Sequence, residues 1–305
     1  MSLPSPPDPG ARYRVRHVTS YHYNESAVLA HHQLHLEPRA LPGQRNEAWR
    51  LEIEPKPAIS ARHLDCYGNP VTYIALQEPH QGLSIAAEMD VEVTPPPPRD
   101  LAATPPWEMI RDRLAAAGDT AGRAAAAFAF ASPRVPYLPA LLDYAAPSFA
   151  PGRPIGEAGV DLAARIHRDI TFDAGATTVR TPIAEVLETR RGVCQDFAHL
   201  AIGCLRAQGL AGRYVSGYLR TIVPPDAPRL IGADASHAWL SLWCGDEAWL
   251  DLDPTNPRAL PSDHVTLAWG RDYGDVSPVR GALFGGGRHS LSVMVDVVPL
   301  EPASA

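Results

Sequence analysis

Between Tyr13 and Val93 the chain alternates apolar and polar residues in four stretches, 12–23, 50–55, 70–76 and 83–93. That period of two, rich in β-branched and aromatic residues, predicts β-strands, with Gly68-Asn69 as a hairpin turn. Four consecutive prolines, Pro95 to Pro98, can continue neither a strand ladder nor a helix and mark a stiff linker. Beyond them the period lengthens. Trp107 to Phe130 is Ala-rich and helical, broken by Gly118, and Ser132 to Pro154 is proline-studded and irregular. Helices are predicted over Asp161–Ile170, over Thr181–Thr189 with Pro182 in the first turn, and over Val193–Gln208, closed by Gly209. The period of two then returns over 212–219, 236–243, 247–254 and 289–300. The fold class is α+β: a β-rich N-terminal domain (1–94), a Pro-rich linker and helical connecting region (95–154), and a domain of helices followed by an antiparallel sheet (155–305).

Composition narrows the function. With 305 residues, 45% hydrophobic and 20% charged, the chain can bury a large core. A net charge of −7 without a basic cluster argues against nucleic acid as a partner. The longest apolar run, Ala124 to Ala131, is too short to span a membrane. No apolar export segment follows Met1, and four scattered cysteines do not make a disulfide framework. The expectation is a cytoplasmic protein with free thiols and no membrane partner. Lys56 is the only lysine among 27 basic residues, and it sits between two prolines. A P-loop lysine and a Schiff-base lysine are therefore excluded, and no GxGxxG or GxSxG motif occurs. No cofactor is expected.

Three segments can carry chemistry. In the helix opened by Gly192–His199 the apolar residues Phe197, Leu200, Ala201, Cys204 and Leu205 fall on one face, and Cys194 stands just before them in the first turn. Unpaired backbone N–H groups and the helix dipole favour a thiolate there and can hold an oxyanion, with the Cys194 N–H as one donor. Cys204 lies inside the stripe and reads as a buried hydrophobe. His237 opens a strand that also holds Trp239 and Trp243. Asp251 and Asp253 share one face of the next strand, opposite Leu250 and Leu252. Cys, His and acid in that order suit thiol acyl transfer, with a nucleophile, a base and an orienting carboxylate. A two-residue turn at Gly245-Asp246 would put His237 and Asp253 on opposite faces; a three-residue loop would pair them directly or diagonally. The sequence leaves that open.

Taken together, GVCQDFAHL (192–200), SGYL (216–219), SHAW (236–239) and WLDLDPTN (249–256) resemble the transglutaminase-like superfamily, in particular bacterial members with a β-rich N-terminal domain. The stretch 170–200 leading into the helix and DCYGNPVTYIAL (65–76) extend the resemblance over nearly the whole chain. It implies a papain-like core, a nucleophile helix on an antiparallel sheet, and a triad of Cys194, His237 and Asp253 rather than Asp251. The expected substrate is a peptide or protein, attacked at a peptide or isopeptide bond. Hydrolysis is favoured over transfer to an amine, as in a protein-glutamine transglutaminase; a non-catalytic binding module on the same fold is the alternative of another class.

Other candidates carry less. His31, His32 and His35 form HHxxH without the Glu of a zinc helix and read as sheet histidines rather than metal ligands. Asp251, Asp253 and Thr255 begin like a calcium loop, but Asn256 and Ser262 stand where Gly and Glu are required. No metal is expected. Cys66 and Cys244 are given no role, and Gly285–Gly287 is read as a flexible loop flanking the cleft.

Overall fold

A computed structural model describes residues 10–220, 236–245, 249–259 and 261–300. Five strands come first: β1 (Ala11–Leu34), β2 (Gln44–Glu54), β3 (Ile59–Leu64), β4 (Pro70–Leu76) and β5 (His80–Val93). Helices α1 (Trp107–Ala116), α2 (Thr120–Ala126), α3 (Pro139–Ala145) and α4 (Ile155–Asp169) follow. Two-residue strands β6 (Thr171–Phe172) and β7 (Arg191–Gly192) bracket α5 (Ile183–Thr189) and lead into α6 (Cys194–Ala207). The chain closes with β8 (Gly212–Leu219), β9 (Ser236–Trp243), β10 (Trp249–Leu252), β11 (His264–Gly270), α7 (Tyr273–Val276), β12 (Val279–Gly285) and β13 (His289–Leu300).

The 24-residue β1 is the spine of a seven-stranded antiparallel sheet. Its alternation explains why. Tyr13 and Val15 point into the core, while Arg14 and Arg16 face out opposite Asp90 and Glu88 of β5. The exposed ion pairs contribute little, and burial of the inward side chains supplies most of the stabilisation. The first half of β1 pairs with β5 and β13, the second half with β4 and β12, with a register irregularity near Ala27.

The pairing of β12 and β13 departs from the sequence reading, which placed 289–300 at the end of the domain spanning 155–305. The chain instead returns to the N-terminal sheet, Val15 opposite Val297 and His17 opposite Val295. Alternation identifies a strand and its buried face but not its partner. Gly285–Gly287 likewise lies not beside β9 and β10 but at the β12–β13 connection against β1, where the Gly286 N–H donates to the Ser26 carbonyl.

Helix α6 packs on the four-stranded antiparallel sheet β10-β9-β8-β11 and is flanked by α3, α4 and α5. Three further differences from the sequence reading are local. Helix α3 sits in the stretch read as irregular, because Pro139 occupies a first-turn position that needs no N–H donor. Helix α4 begins at Ile155, directly after Pro154, rather than at Asp161. The break after α1 falls at Ala117, in a left-handed conformation beside Gly118.

The two sheets are joined by buried polar contacts. Asn69, fully buried in the turn before β4, accepts the Trp269 N–H at 3.0 Å and an Arg39 guanidinium bond at 2.7 Å, and donates to the Trp269 carbonyl at 2.8 Å. Gln44 makes the same double bond to the Thr266 backbone, 2.7 Å each way. Gly68 turns the chain into this position with φ of 74°. The Asp-Cys-Tyr-Gly-Asn-Pro segment is thus a docking turn.

Candidate active site

Cys194 is the first residue of α6, half-buried, after an extended Val193. Asp196 braces this start: its carboxylate accepts the Val193 N–H at 2.8 Å and the Thr177 hydroxyl at 2.6 Å. Gly192 makes room for that carboxylate, since a Cβ there would lie 2.7 Å from Asp196 Oδ2. Burial raises the Asp196 pKa against the lowering effect of these two bonds.

His237 stands at the start of β9, its side chain buried. The β9–β10 register pairs Trp243 with Trp249 and Leu240 with Leu252. Continued by one residue, it sets Asp253 opposite Trp239, on the same face as His237 and one diagonal away. The sequence left two loop lengths open, and this register is the one that puts His237 and Asp253 on a common face. Asp246 and Glu247 of that loop lie outside the described residues.

His237 Nε2 is 2.7 Å from Asp253 Oδ2. Asp253 is an unusually saturated acceptor. Its Oδ1 takes the N–H groups of Thr255 and Asn256 at 2.9 and 3.0 Å, and its Oδ2 is also approached by His264 Nε2 at 3.1 Å. Burial opposes ionisation of this carboxyl, but the bonds and charges of His237 and His264 outweigh it and hold it well below the usual carboxylate range. An ionised carboxylate only accepts, so Nε2 of each histidine must donate, which leaves Nδ1 of His237 for Cys194. Burial by itself would lower the His237 pKa, but hydrogen bonds to Asp253 and Cys194, with the charges of both, raise it to about 9. Trp239 stacks on the His237 ring and meets the His264 ring edge-on, fixing both planes.

Asp251, the other acid on this strand, is spent on the Ser241 hydroxyl. His264 is the member sequence reasoning missed: it lies on β11, a strand not read from the sequence, and only the fold brings it to Asp253. His237, Asp253 and His264 offer three ligand atoms within 4.8 Å of one another, a set that could hold a cation, but Asp253 Oδ2 is already the acceptor for both rings.

The remaining candidates separate. His31 bonds the Tyr73 hydroxyl at 2.6 Å, and His35 bonds the Ser277 carbonyl at 3.2 Å. His32 projects from the other face of β1, so the HHxxH residues do not converge. All four cysteines are free; Cys66 is exposed, and Cys204 and Cys244 are buried. Burial pushes the Cys204 thiol up to about 12. Among the described residues no helix is long and apolar enough to cross a membrane.

Comparison with known proteins agrees with this architecture. Residues 13–92 match the bacterial transglutaminase-like N-terminal region and residues 144–254 the transglutaminase-like superfamily. An uncharacterised Mycobacterium tuberculosis protein is 44% identical over 95% of this chain and 93% of its own length. An uncharacterised Mycobacterium leprae protein is 32% identical over 95% and 99%. The crystal structure of a candidate cysteine protease from Cytophaga hutchinsonii superposes with a TM-score of 0.74 at 19% identity, over 98% of this chain and 93% of that one.

Proposed function

The chain belongs to the transglutaminase-like superfamily, and from that premise we propose that it is a cysteine amide hydrolase acting on a peptide or isopeptide bond through Cys194, His237 and Asp253. The observation that carries this reading is the His237 ring, bonded to Asp253 at 2.7 Å, with the Cys194 thiol near enough to help raise its pKa. A sheet histidine with only a structural role needs no cysteine at a helix N-terminus beside it.

In the proposed reaction Cys194 passes its thiol proton to His237 Nδ1, and the sulfur attacks the amide carbonyl carbon. The oxygen takes the developing negative charge, and the Cys194 backbone N–H at the start of α6 donates to it. The imidazolium of His237 gives its Nδ1 proton to the departing amine as the C–N bond breaks, leaving a thioester on Cys194. Neutral His237 then takes a proton from water. The hydroxyl adds to the thioester, and carboxylic acid and thiol are released. Asp253 stays ionised throughout and fixes the tautomer and plane of the ring. No cofactor enters any step.

Water as acceptor needs no second binding channel, which is why hydrolysis is preferred over transfer to an amine. Four unpaired thiols support a cytoplasmic location. The test is an activity screen on peptide, isopeptide and glutamine-containing substrates, with and without an added primary amine, read by product mass. Free acid as the main product in the presence of amine supports hydrolysis; an amine adduct as the main product replaces it with acyl transfer. No turnover by the wild-type protein on any of the three classes counts against the reading.

A further inference from the structure

A cavity of about 890 Å³ lies not over the triad but between β1 with β12 and the segment leading into α7. Its lining holds four arginines, Arg134, Arg180, Arg271 and Arg280, against two aspartates, Asp272 and Asp275. In a chain of net charge −7 this is a local reversal of sign.

The two acids are already engaged. Asp275 is paired with Arg271, and Asp272, buried, accepts the N–H groups of Arg134 and Gly274. Among the described residues, Arg134, Arg180 and Arg280 have no carboxylate partner; Arg134 bonds the Val179 carbonyl and lies over the Tyr273 ring, and Arg280 bonds the Gly274 carbonyl. Guanidinium groups from distant segments thus border one cavity, four against the carboxylates of Asp272 and Asp275, an excess of two positive charges.

The opposite wall is aromatic and polar. Tyr21 and Tyr23 stack nearly parallel, 7° apart, with His289 against both. His32 is 4% exposed and Tyr23 5%, yet both His32 ring nitrogens and the Tyr23 hydroxyl are buried without a hydrogen-bond partner. Orphan groups of this kind cost roughly 1–3 kcal/mol each and are tolerated where something else satisfies them. The cross-strand partner of His32 is Gly281, and a Cβ there would fall 2.2 Å from His32 Nδ1. The absent side chain leaves room for the His32 ring itself.

The arginine-bearing wall is tied to the helix that carries Cys194. The Tyr273 N–H donates to His199 of α6 at 3.1 Å, and Thr177, three residues before Arg180, donates to Asp196. His199 lies about 7.5 Å along the helix from Cys194, at 1.5 Å per residue. An extended peptide, at about 3.3 Å per residue, covers that rise in two or three residues.

We propose that this cavity binds acidic side chains of the peptide whose amide the triad attacks, with Arg134, Arg180 and Arg280 receiving the carboxylates and Tyr21, Tyr23 and His289 covering the apolar part of the chain. The proposal rests on the peptide-amide reading above. A volume this large, with arginines spread round its border, fits a segment carrying several carboxylates better than a single small anion.

The test measures binding in the full-length Cys194→Ala protein, where turnover cannot interfere. The probes are two blocked hexapeptides, identical except that glutamates in one are glutamines in the other. The glutamate peptide should bind at least tenfold more tightly at low salt, with an advantage that shrinks as salt rises. Adding Arg180→Ala and Arg280→Ala, both exposed positions, should reduce the preference to less than threefold with the melting temperature unchanged. Equal binding of the two peptides, or a preference that survives both substitutions, overturns the site. Inorganic phosphate that binds as tightly as the glutamate peptide overturns the peptide assignment. A preserved preference in a protein whose wild-type form turns over no amide overturns the chemical reading and leaves the binding site standing.

Discussion

His264 reaches Asp253 Oδ2 from 3.1 Å, sharing with His237 a single carboxylate oxygen. One acid thus orients two imidazoles, and of the two His237 is the one whose pKa Cys194 helps to raise. Replacing His264 by Phe removes a donor from Asp253 and concentrates its charge on His237. The expected result is about a tenfold loss of kcat/KM together with an upward move of the alkaline limb of the pH profile. A simple packing defect would lower the rate without moving that limb.

The two acids of β10 and its continuation should behave differently. Asp253→Asn leaves a side chain of the same shape but removes the partner that fixes the tautomer of His237, and activity should fall by about 10⁴-fold with the fold retained. Asp251→Asn alters only the bond to Ser241 and should change the rate by less than about threefold. The opposite ranking in a kinetic comparison of the two would assign the orienting role to Asp251.

The pKa of His237 sets a pH dependence of stability. It is raised from 6.5 to about 9, so its contribution is fully present below about 6.5 and is lost as pH climbs through about 9. Asp253 works in the reverse sense: its carboxyl is held low, so its contribution is present above its ordinary value and lost as pH falls toward the folded one. Urea unfolding from pH 6 to pH 10 should show wild-type stability declining above pH 7, with His237→Ala flattening much of that slope.

The docking turn gives a prediction about folding. Asn69→Ala strands the Trp269 N–H and carbonyl, both bonded to Asn69, in a buried interface. The cost should be about 2–4 kcal/mol by urea unfolding, with kcat affected less than stability.

How much of this was legible in the sequence varies by range. The helix of Cys194 could be read because Phe197, Leu200, Ala201, Cys204 and Leu205 repeat with its period, and the strands of His237 and Asp253 because they alternate. What alternation omits is partnership. Val295 and Val297 mark β13 as a strand with a buried face, yet nothing local says that this face belongs beside His17 and Val15. His264 was invisible for the same reason. The cavity arginines, at 134, 180 and 280, form a group only after the chain has folded. Pro139 hid α3 by looking like a breaker when it stands where a helix accepts it.

A short iodoacetamide pulse at about pH 6 followed by peptide mapping tests directly whether Cys194 is the nucleophile. Four free cysteines report side by side: Cys66 exposed, Cys204 and Cys244 buried, and Cys194 half-buried beside His237. The account predicts that Cys194 is alkylated at least roughly tenfold faster than Cys66, although Cys66 is the more exposed, and that His237→Ala removes most of this advantage. A Cys194 rate equal to or below that of Cys66 in the folded protein, or a fast rate indifferent to His237, would contradict it.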